Sequence, residues 1–553
     1  MAIPEYSFYN IVDGERRPRA AVAAAAGDNP QPAQETHHSV DPRNEEQLWP
    51  CPIATTQDLE DAITAANAAF PTWAQTTLAE RQKLLVRIAE QIKAHEEELT
   101  DILRRETGKS KIVAAVEITN TIDQTMYYST IGLEDEVQYE DDVVRILATH
   151  PPLGVVGAIC PWNFPLILCN LKVISSLLTG NCVIVKPSPF TPYTVLRWIE
   201  LCIELLPKGV LQAVNGGADL GALMTQHVGI HKISFTGTIA TGKRVMASCA
   251  QTLKKVTLEL AGNDAAIVFA DVADEPGRLD TVVAQTVGGA FFNAGQMCVA
   301  TKRVYVHASI YDEFLAKFVA ETNKNYAPAV PAADATNEAR LGDDDLPTVF
   351  GPVSNKMQYD IVRNILDDAK TIGGGRIVAG GSTLGGKGFW IQPTVVAEPA
   401  EDSLLVREEQ FGPIIPILKW TTDEEVVARA NLANAGLGAT VYSTDLAKAR
   451  RMADRLEAGS VWINQSEKPN VRAWFAGFKD SGFGGEMGKQ GLLSYAYTKS
   501  IHIPKDPKDK KEATGSAAST SSATPAAKKA PEAKPATTSS NPFAALFSCF
   551  TGK

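Results

Sequence analysis

The feature that most constrains this fold is a repeated change of hydrophobic period. Short β-branched apolar runs, each closed by Pro or Gly, alternate with stretches of helical spacing. GVVGAIC (154–160) runs into PWNFP (161–165), and GNCVIVKPSP (180–189) precedes the amphipathic TPYTVLRWIELCIELLPKG (191–209). HKISF (231–235) leads through the turn TGTIATG (236–242) to a helix over KRVMASCAQTL (243–253). From about residue 263 a second set follows: AAIVFAD, a helix near 275–292, RVYVHAS, and a helix near 309–324. Strands alternating with helices predict an α/β fold, with parallel sheets covered on both faces.

Upstream, residues 57–107 predict helices. Leu84, Leu85, Ile88, Ile92, Leu99, Ile102 and Leu103 fall at helical spacing, and Gly108 supplies a stop. Residues 373–388 read as loop and hairpin, and 326–348 as a surface insertion. No repeat with a period of 20–50 residues is present.

Bulk properties narrow the function. A chain of 553 residues with 44% apolar and 21% charged residues excludes chain-wide disorder, collagen-like structure and a small disulfide-stapled scaffold. The net charge is −11, although residues 504–553 hold eight Lys against four acids. The acidic body argues against nucleic acid as the main ligand. Eight scattered cysteines form no C-x-x-C pair and no Cys/His cluster, so no metal site is expected and a reducing compartment is. MAIPEYSFYN lacks the apolar run of a signal peptide, which makes the expected location cytoplasmic. The most hydrophobic stretch, 151–185, is interrupted by Pro161, Asn163, Pro165, Asn170 and Lys172, and reads as buried core.

The tail differs in kind. In 513–540, 24 of 28 residues are Ala, Ser, Thr, Pro or Gly, which predicts a disordered linker. It ends in NPFAALFSCFTGK, where Asn541 and Pro542 could start a short helix with Phe543, Leu546, Phe547 and Phe550 on one side. The segment reads either as an inert extension or as a weak membrane or partner anchor, with Cys549 acylated.

Four segments carry candidate chemistry, each with a bland alternative. Cys298 follows small residues at a helix–loop junction in FFNAGQMCVATKR; it is an accessible nucleophile or a small core residue. Asn163 sits in a rigid turn after a strand; its amide stabilises an oxyanion or merely satisfies the turn. Glu259 interrupts the apolar VTLELAGND; it is a general base of raised pKa or half of a buried ion pair. Gly237 and Gly242 bracket a strand-to-helix turn able to approach a phosphate, with Lys186 at a neighbouring strand end.

Together these segments resemble the aldehyde dehydrogenase superfamily over residues 8–503. PWNFP, VKPSPFTP, FTGTIATG, LELAGND, FNAGQMC, EEQFGP, VWIN and FAGFKDSGFGGEMG stand in family order. The resemblance implies a Rossmann-like cofactor domain (1–127 and 151–262), an α/β catalytic domain (263–470) and a small β oligomerisation arm (128–150 and 471–503). The arm strand near 143–149 would pair with TKSIHI near 498–503 of a neighbour, giving a homodimer or homotetramer.

Cys298 matches the nucleophile, forming a thiohemiacetal and then a thioester with a small-molecule aldehyde. The Asn163 side chain and the Cys298 N–H would hold the oxyanion, Glu259 would activate the hydrolytic water, and Lys172 would relay protons. Lys186 matches the adenine-ribose ligand, Thr236, Gly237 and Thr238 the pyrophosphate cradle, and Glu409 and Phe411 the residues on the nicotinamide riboside. Trp162, Ser188, Pro189 and Gly242 complete the implied cofactor contacts. Phe164, Leu168, Leu171, Phe292, Met297, Val299 and Phe475 would line an apolar substrate tunnel, with Glu467, Lys468 and Arg472 near its mouth.

The departures bear on specificity. Pro189 stands where the family often has Glu, which removes a ribose ligand for NAD and a barrier to NADP; NAD is expected, with NADP left open. Ala261 and Gly485 replace a frequent Gly and Arg away from the chemistry. The apolar tunnel favours an aliphatic or aromatic aldehyde, while the basic pair leaves a semialdehyde open. Pro189 and this loop resemble family branches found beside secondary-metabolite pathways. The alternatives are a coenzyme A-acylating enzyme, against which Glu259 argues, and an idle scaffold on this fold.

Overall fold

The computed structural model describes residues 5–17, 35–326, 350–371, 373 and 375–505. The insertion expected at 326–348 and the tail, with Cys549, fall almost wholly outside the described residues.

Three helices follow the N-terminal strands: Thr56–Trp73, Leu78–Ala94 and Glu96–Thr107. The first two begin in capping boxes, Thr55 with Asp58 and Thr77 with Glu80. Such caps contribute about 1 kcal/mol each. The third ends at Gly108, whose φ of 75° needs a residue free to enter the left-handed region. The predicted apolar stripe from Leu84 to Leu103 is buried throughout.

Eight strands form the first sheet, in the order Glu15–Arg17, Asn10–Val12, Leu211–Ala213, Cys182–Lys186, Val155–Ile159, Lys232–Thr236, Lys255–Glu259 and Gly482–Phe483. The five from Leu211–Ala213 to Lys255–Glu259 are parallel; the outer strands close the edges antiparallel. Every residue of Val155–Ile159, Cys182–Lys186 and Lys232–Thr236 is buried, as in a sheet covered on both faces.

The second sheet has seven strands: Arg376–Ala379, Thr394–Ala397, Ile414–Trp420, Thr301–His307, Asp264–Val268, Gly438–Tyr442 and Ser460–Ile463. Only Arg376–Ala379 runs antiparallel, which is the predicted hairpin. Glu259 is the last residue of a strand in the first sheet and Asp264 the first residue of a strand in the second, so the chain crosses between them at 260–263.

The third sheet corrects an expectation. Val144–Thr149 pairs antiparallel with Lys499–Pro504 of the same chain, not of a neighbour, and with Glu136–Glu140 on its other side. The cause is local. The Tyr497 N–H donates to the Pro151 carbonyl at 2.8 Å, and Pro152 bridges Ala496, which delivers the last strand to this edge with no long loop to close. A second correction concerns Gly242. The helix starts at Ile239, so Gly242 lies inside its first turn, where an added Cβ would come within 2.6 Å of the Leu260 side chain. Among the described residues, no helix is long and apolar enough to cross a membrane.

Candidate active site

The helix Arg278–Phe291 breaks into a short turn whose residues Asn293, Ala294 and Gly295 all take positive φ, at 52°, 54° and 72°. This reversal throws the chain back toward Cys298. An added Cβ on Gly295 would sit 2.4 Å from the Gly412 carbonyl oxygen. Gly295→Ala is therefore expected to cost about 2 kcal/mol or more of stability, through left-handed strain and a backbone clash. Urea unfolding measures that loss, and kcat should fall with it because the Cys298 loop must shift.

Across from this loop stands the PWNFP turn, between Ile159 and the helix Pro165–Leu178. Asn163 Nδ2 donates to the Gln296 carbonyl at 3.2 Å, and Asn293 Nδ2 donates back to the Asn163 carbonyl at 3.4 Å. Two loops far apart in sequence thus hold each other, and fix the Asn163 amide beside the cysteine loop.

Glu259 ends its strand in register with Thr236. Both of its carboxylate oxygens are buried without a hydrogen bond of good geometry. Burial raises its pKa first and the Glu486 charge adds to this, while Lys172, Cys298 and Thr236 pull the other way. Cys298 keeps some surface open to the cavity, yet burial is the main cause that pushes its thiol well above the ordinary range, and the Glu259 charge raises it further. At rest the thiol is therefore protonated beside a carboxyl group. Behind Glu259, the Lys172 ammonium pairs with Glu486 at 2.7 Å. Ser234 and Tyr495 donate to the same Glu486 oxygen at 2.8 and 3.3 Å. Burial, the largest single cause, lowers the Lys172 pKa, but the Glu486 charge and hydrogen bond together with Cys160 and Glu259 outweigh it and the net shift is upward.

These groups meet in one cavity of about 1060 Å³, lined by Asn163, Glu259, Cys298 and Glu486 at its polar end. Phe164, Leu168, Phe292, Met297, Val299, Trp462 and Phe475 form its apolar wall, where the Phe164 and Phe292 rings stack with centroids 6.4 Å apart.

The aldehyde dehydrogenase family model matches residues 30–501. A putative aldehyde dehydrogenase, FUS7, of Gibberella fujikuroi is 39% identical over 499 residues, spanning 90% of this chain and 99% of its own. The aldehyde dehydrogenase LUC3 of Fusarium sp is 40% identical over 501 residues, spanning 90% and 99%. A betaine aldehyde dehydrogenase structure from Staphylococcus aureus, in complex with NAD+, superposes with a TM-score of 0.79 at 31% identity, covering 90% of this chain and 94% of that one. The chain belongs to the aldehyde dehydrogenase family. It is an enzyme that oxidises aldehydes.

Within this aldehyde dehydrogenase, the expected cofactor residues of the first sheet follow the C-terminal ends of its parallel strands, where open α/β sheets hold ligands, and Glu409 and Phe411 lie on the loop before Ile414–Trp420. Lys186 ends one strand, in register with Ile159. Its ammonium donates to the Pro187 carbonyl at 3.1 Å, and burial pulls its pKa down to about 8. Thr236 Oγ1 is buried beside Glu259, with no hydrogen bond of good geometry. Thr238 caps the helix Ile239–Ala250, and a Cβ on Gly237 would lie 2.5 Å from the Phe235 ring. Ser188 turns inward to accept the Phe190 N–H at 3.3 Å, and the Pro189 carbonyl meets His37 Nε2 at 2.6 Å. Glu409 accepts the Gly262 N–H at 3.1 Å and lies 3.6 Å from Lys302. Burial lifts the Glu409 pKa to about 7. Lys302 sits 4.6 Å over the Phe411 ring, which stands edge-on to Trp162 at 5.4 Å. A buried hydroxyl, a half-free ammonium and an aromatic corner fit a nicotinamide dinucleotide.

Two expectations about the tunnel are corrected. Leu171 does not line it; one turn further along its helix than Ile167 and Leu168, it packs into the core of the first sheet. Glu467 is not a mouth residue but a buried one, accepting Thr301 Oγ1 at 2.5 Å and Thr440 Oγ1 at 3.0 Å. Arg472 does lie exposed, stacked on Tyr127 at 4.8 Å.

The sequence reading missed Glu486, although a buried Lys172 requires a carboxylate partner. It also missed the helix Lys111–Tyr128, which forms a whole wall of the cavity. Val116, Asn120, Gln124 and Tyr127 recur there at helical spacing, a signal hidden by its distance in sequence from the other motifs.

Proposed function

We propose that Cys298 is the nucleophile of a hydrolytic aldehyde dehydrogenase, with Asn163 as oxyanion donor and Glu259 as general base. The observation that carries this reading is the convergence of these three residues, from three separate loops and strands, on one cavity. The Cys298 thiol gives up its proton to solvent, and the thiolate attacks the aldehyde carbon. The Asn163 amide and the Cys298 N–H receive the oxyanion. When bound, the nicotinamide cofactor supplies the hydride acceptor. The acyl group then remains on Cys298 as a thioester. Glu259 takes a proton from the attacking water, and the Lys172–Glu486 pair holds the neighbouring charge. The carboxylic acid leaves.

The first sheet serves the cofactor and the second carries the nucleophile, with the third as an oligomerisation arm. Exposed Val137, Tyr139, Val143, Ile501 and Ile503 on the arm support a dimer or tetramer. The seven described cysteines are all free, which supports a cytoplasmic location. NAD is the expected cofactor. Pro189→Glu should place a carboxylate near the ribose and shift the NAD/NADP ratio of kcat/KM about tenfold toward NAD; an unchanged ratio removes this position from cofactor choice.

The test is cofactor reduction by the purified protein, with NAD and NADP separately, across aliphatic, aromatic and semialdehyde substrates without coenzyme A. Turnover is the expected result. Turnover only with coenzyme A added would establish the acylating alternative, and none under either condition the idle scaffold.

A further inference from the structure

Lys109 and Glu117 form an ion pair that the chemistry above does not use. Both side chains are almost wholly buried, at 1% and 0% exposure. Removing two charges from water is costly, and a buried pair adds little net stability over an apolar one. The geometry around this pair shows where it acts.

Glu117 lies on the helix Lys111–Tyr128, in the wall of the substrate cavity. One carboxylate oxygen binds Lys109. The other accepts the Leu166 and Ile167 N–H groups at 2.9 and 3.3 Å. Those are the first free donors of the helix Pro165–Leu178, since Pro165 has none. The residue before that helix, Phe164, offers no side-chain cap of its own. Glu117 therefore caps the helix from outside, across 49 residues of sequence. The Lys109 ammonium sits 4.1 Å over the Phe164 ring. Asn163 is the next residue upstream, and its amide is held from the opposite side by Gln296.

The geometry points to Lys109 and Glu117 as positioning residues that aim the Asn163 amide and the Phe164 ring into the cavity. Glu117 fixes the start of the helix, Lys109 pairs with that carboxylate and presses on the ring, and the turn between them has one orientation. Neither group touches the reacting atoms. The inference rests on the oxyanion role proposed for Asn163.

The test is a double-mutant cycle on the full chain. The pair is changed together, Lys109→Met with Glu117→Gln, so that no charge is left buried and Gln still offers an acceptor to Leu166. The change is made in the wild-type and in the Asn163→Ala background. In wild type, kcat/KM should fall about tenfold or more, mainly in kcat, with the dissociation constant of NAD within twofold. In Asn163→Ala, the same change should cost less than twofold. Equal losses in both backgrounds would overturn the inference and leave the pair a structural one. An Asn163→Ala enzyme with unaltered kcat would instead overturn the oxyanion reading itself. If that double variant fails to fold, Lys109→Gln with Glu117→Gln is run through the same cycle, with the same coupling expected and additivity again overturning the inference.

Discussion

Cys298→Ala is expected to stop aldehyde oxidation, with turnover falling by about 10⁴-fold or more. The loss should be large because no neighbour can replace the sulfur. Among the described cysteines, the other six are all buried, and none of them lines the substrate cavity. Alanine removes Sγ but leaves the backbone N–H and the left-handed turn at 293–295 in place. Binding of NAD should therefore persist, since the cofactor residues lie on the other sheet and on the 409–411 loop. Fluorescence titration with NAD, beside the turnover assay, separates the two effects. Residual turnover near that of the wild type would remove Cys298 from the nucleophile position.

Glu259→Gln should divide the reaction. Reduction of cofactor in the first turnover continues, and hydrolysis of the thioester slows by about 10²–10⁴-fold. Stopped-flow absorbance should then show one equivalent of reduced cofactor formed quickly, followed by a slow steady rate. The pH profile gives a second check. Burial and the Glu486 charge raise the Glu259 pKa. A base works only when ionised, so the hydrolytic rate should climb with pH through a value above the ordinary carboxylate range. Glutamine should flatten that limb. A first-turnover burst absent from Glu259→Gln, with unchanged steady turnover, would reject the general-base role.

Much of this architecture was legible from local pattern. The alternation of GVVGAIC, GNCVIVKPSP and HKISF with helical stretches is a short-range signal, and the parallel order follows from it. The residues that end these strands, Lys186, Thr236 and Glu259, were legible for the same reason. What the sequence concealed depends on contacts between distant segments. Glu486 lies 314 residues from Lys172, and nothing local marks the pair. Leu171 shares the spacing of Leu168, but only the packing of its helix on the sheet decides that one faces the cavity and the other the core. The pairing of 499–504 within its own chain depends on the contacts of Ala496 and Tyr497 with Pro152 and Pro151, not on strand composition. Glu467 carries a charge, which reads as surface in a sequence, and two threonine hydroxyls make its burial tolerable.

The four residues 260–263 join the two large sheets between Glu259 and the strand that begins at Asp264. Gly262 is jammed there: a Cβ on it would meet both the Cys298 carbonyl and Asp264 at 2.6 Å, and its N–H is already bound to Glu409. A hinge at this segment has almost no free travel. Breathing of the two halves about it would pull Glu259 from Cys298 and release Glu409 in the same movement. Hydrogen exchange at the Gly262 amide is therefore expected to be slow.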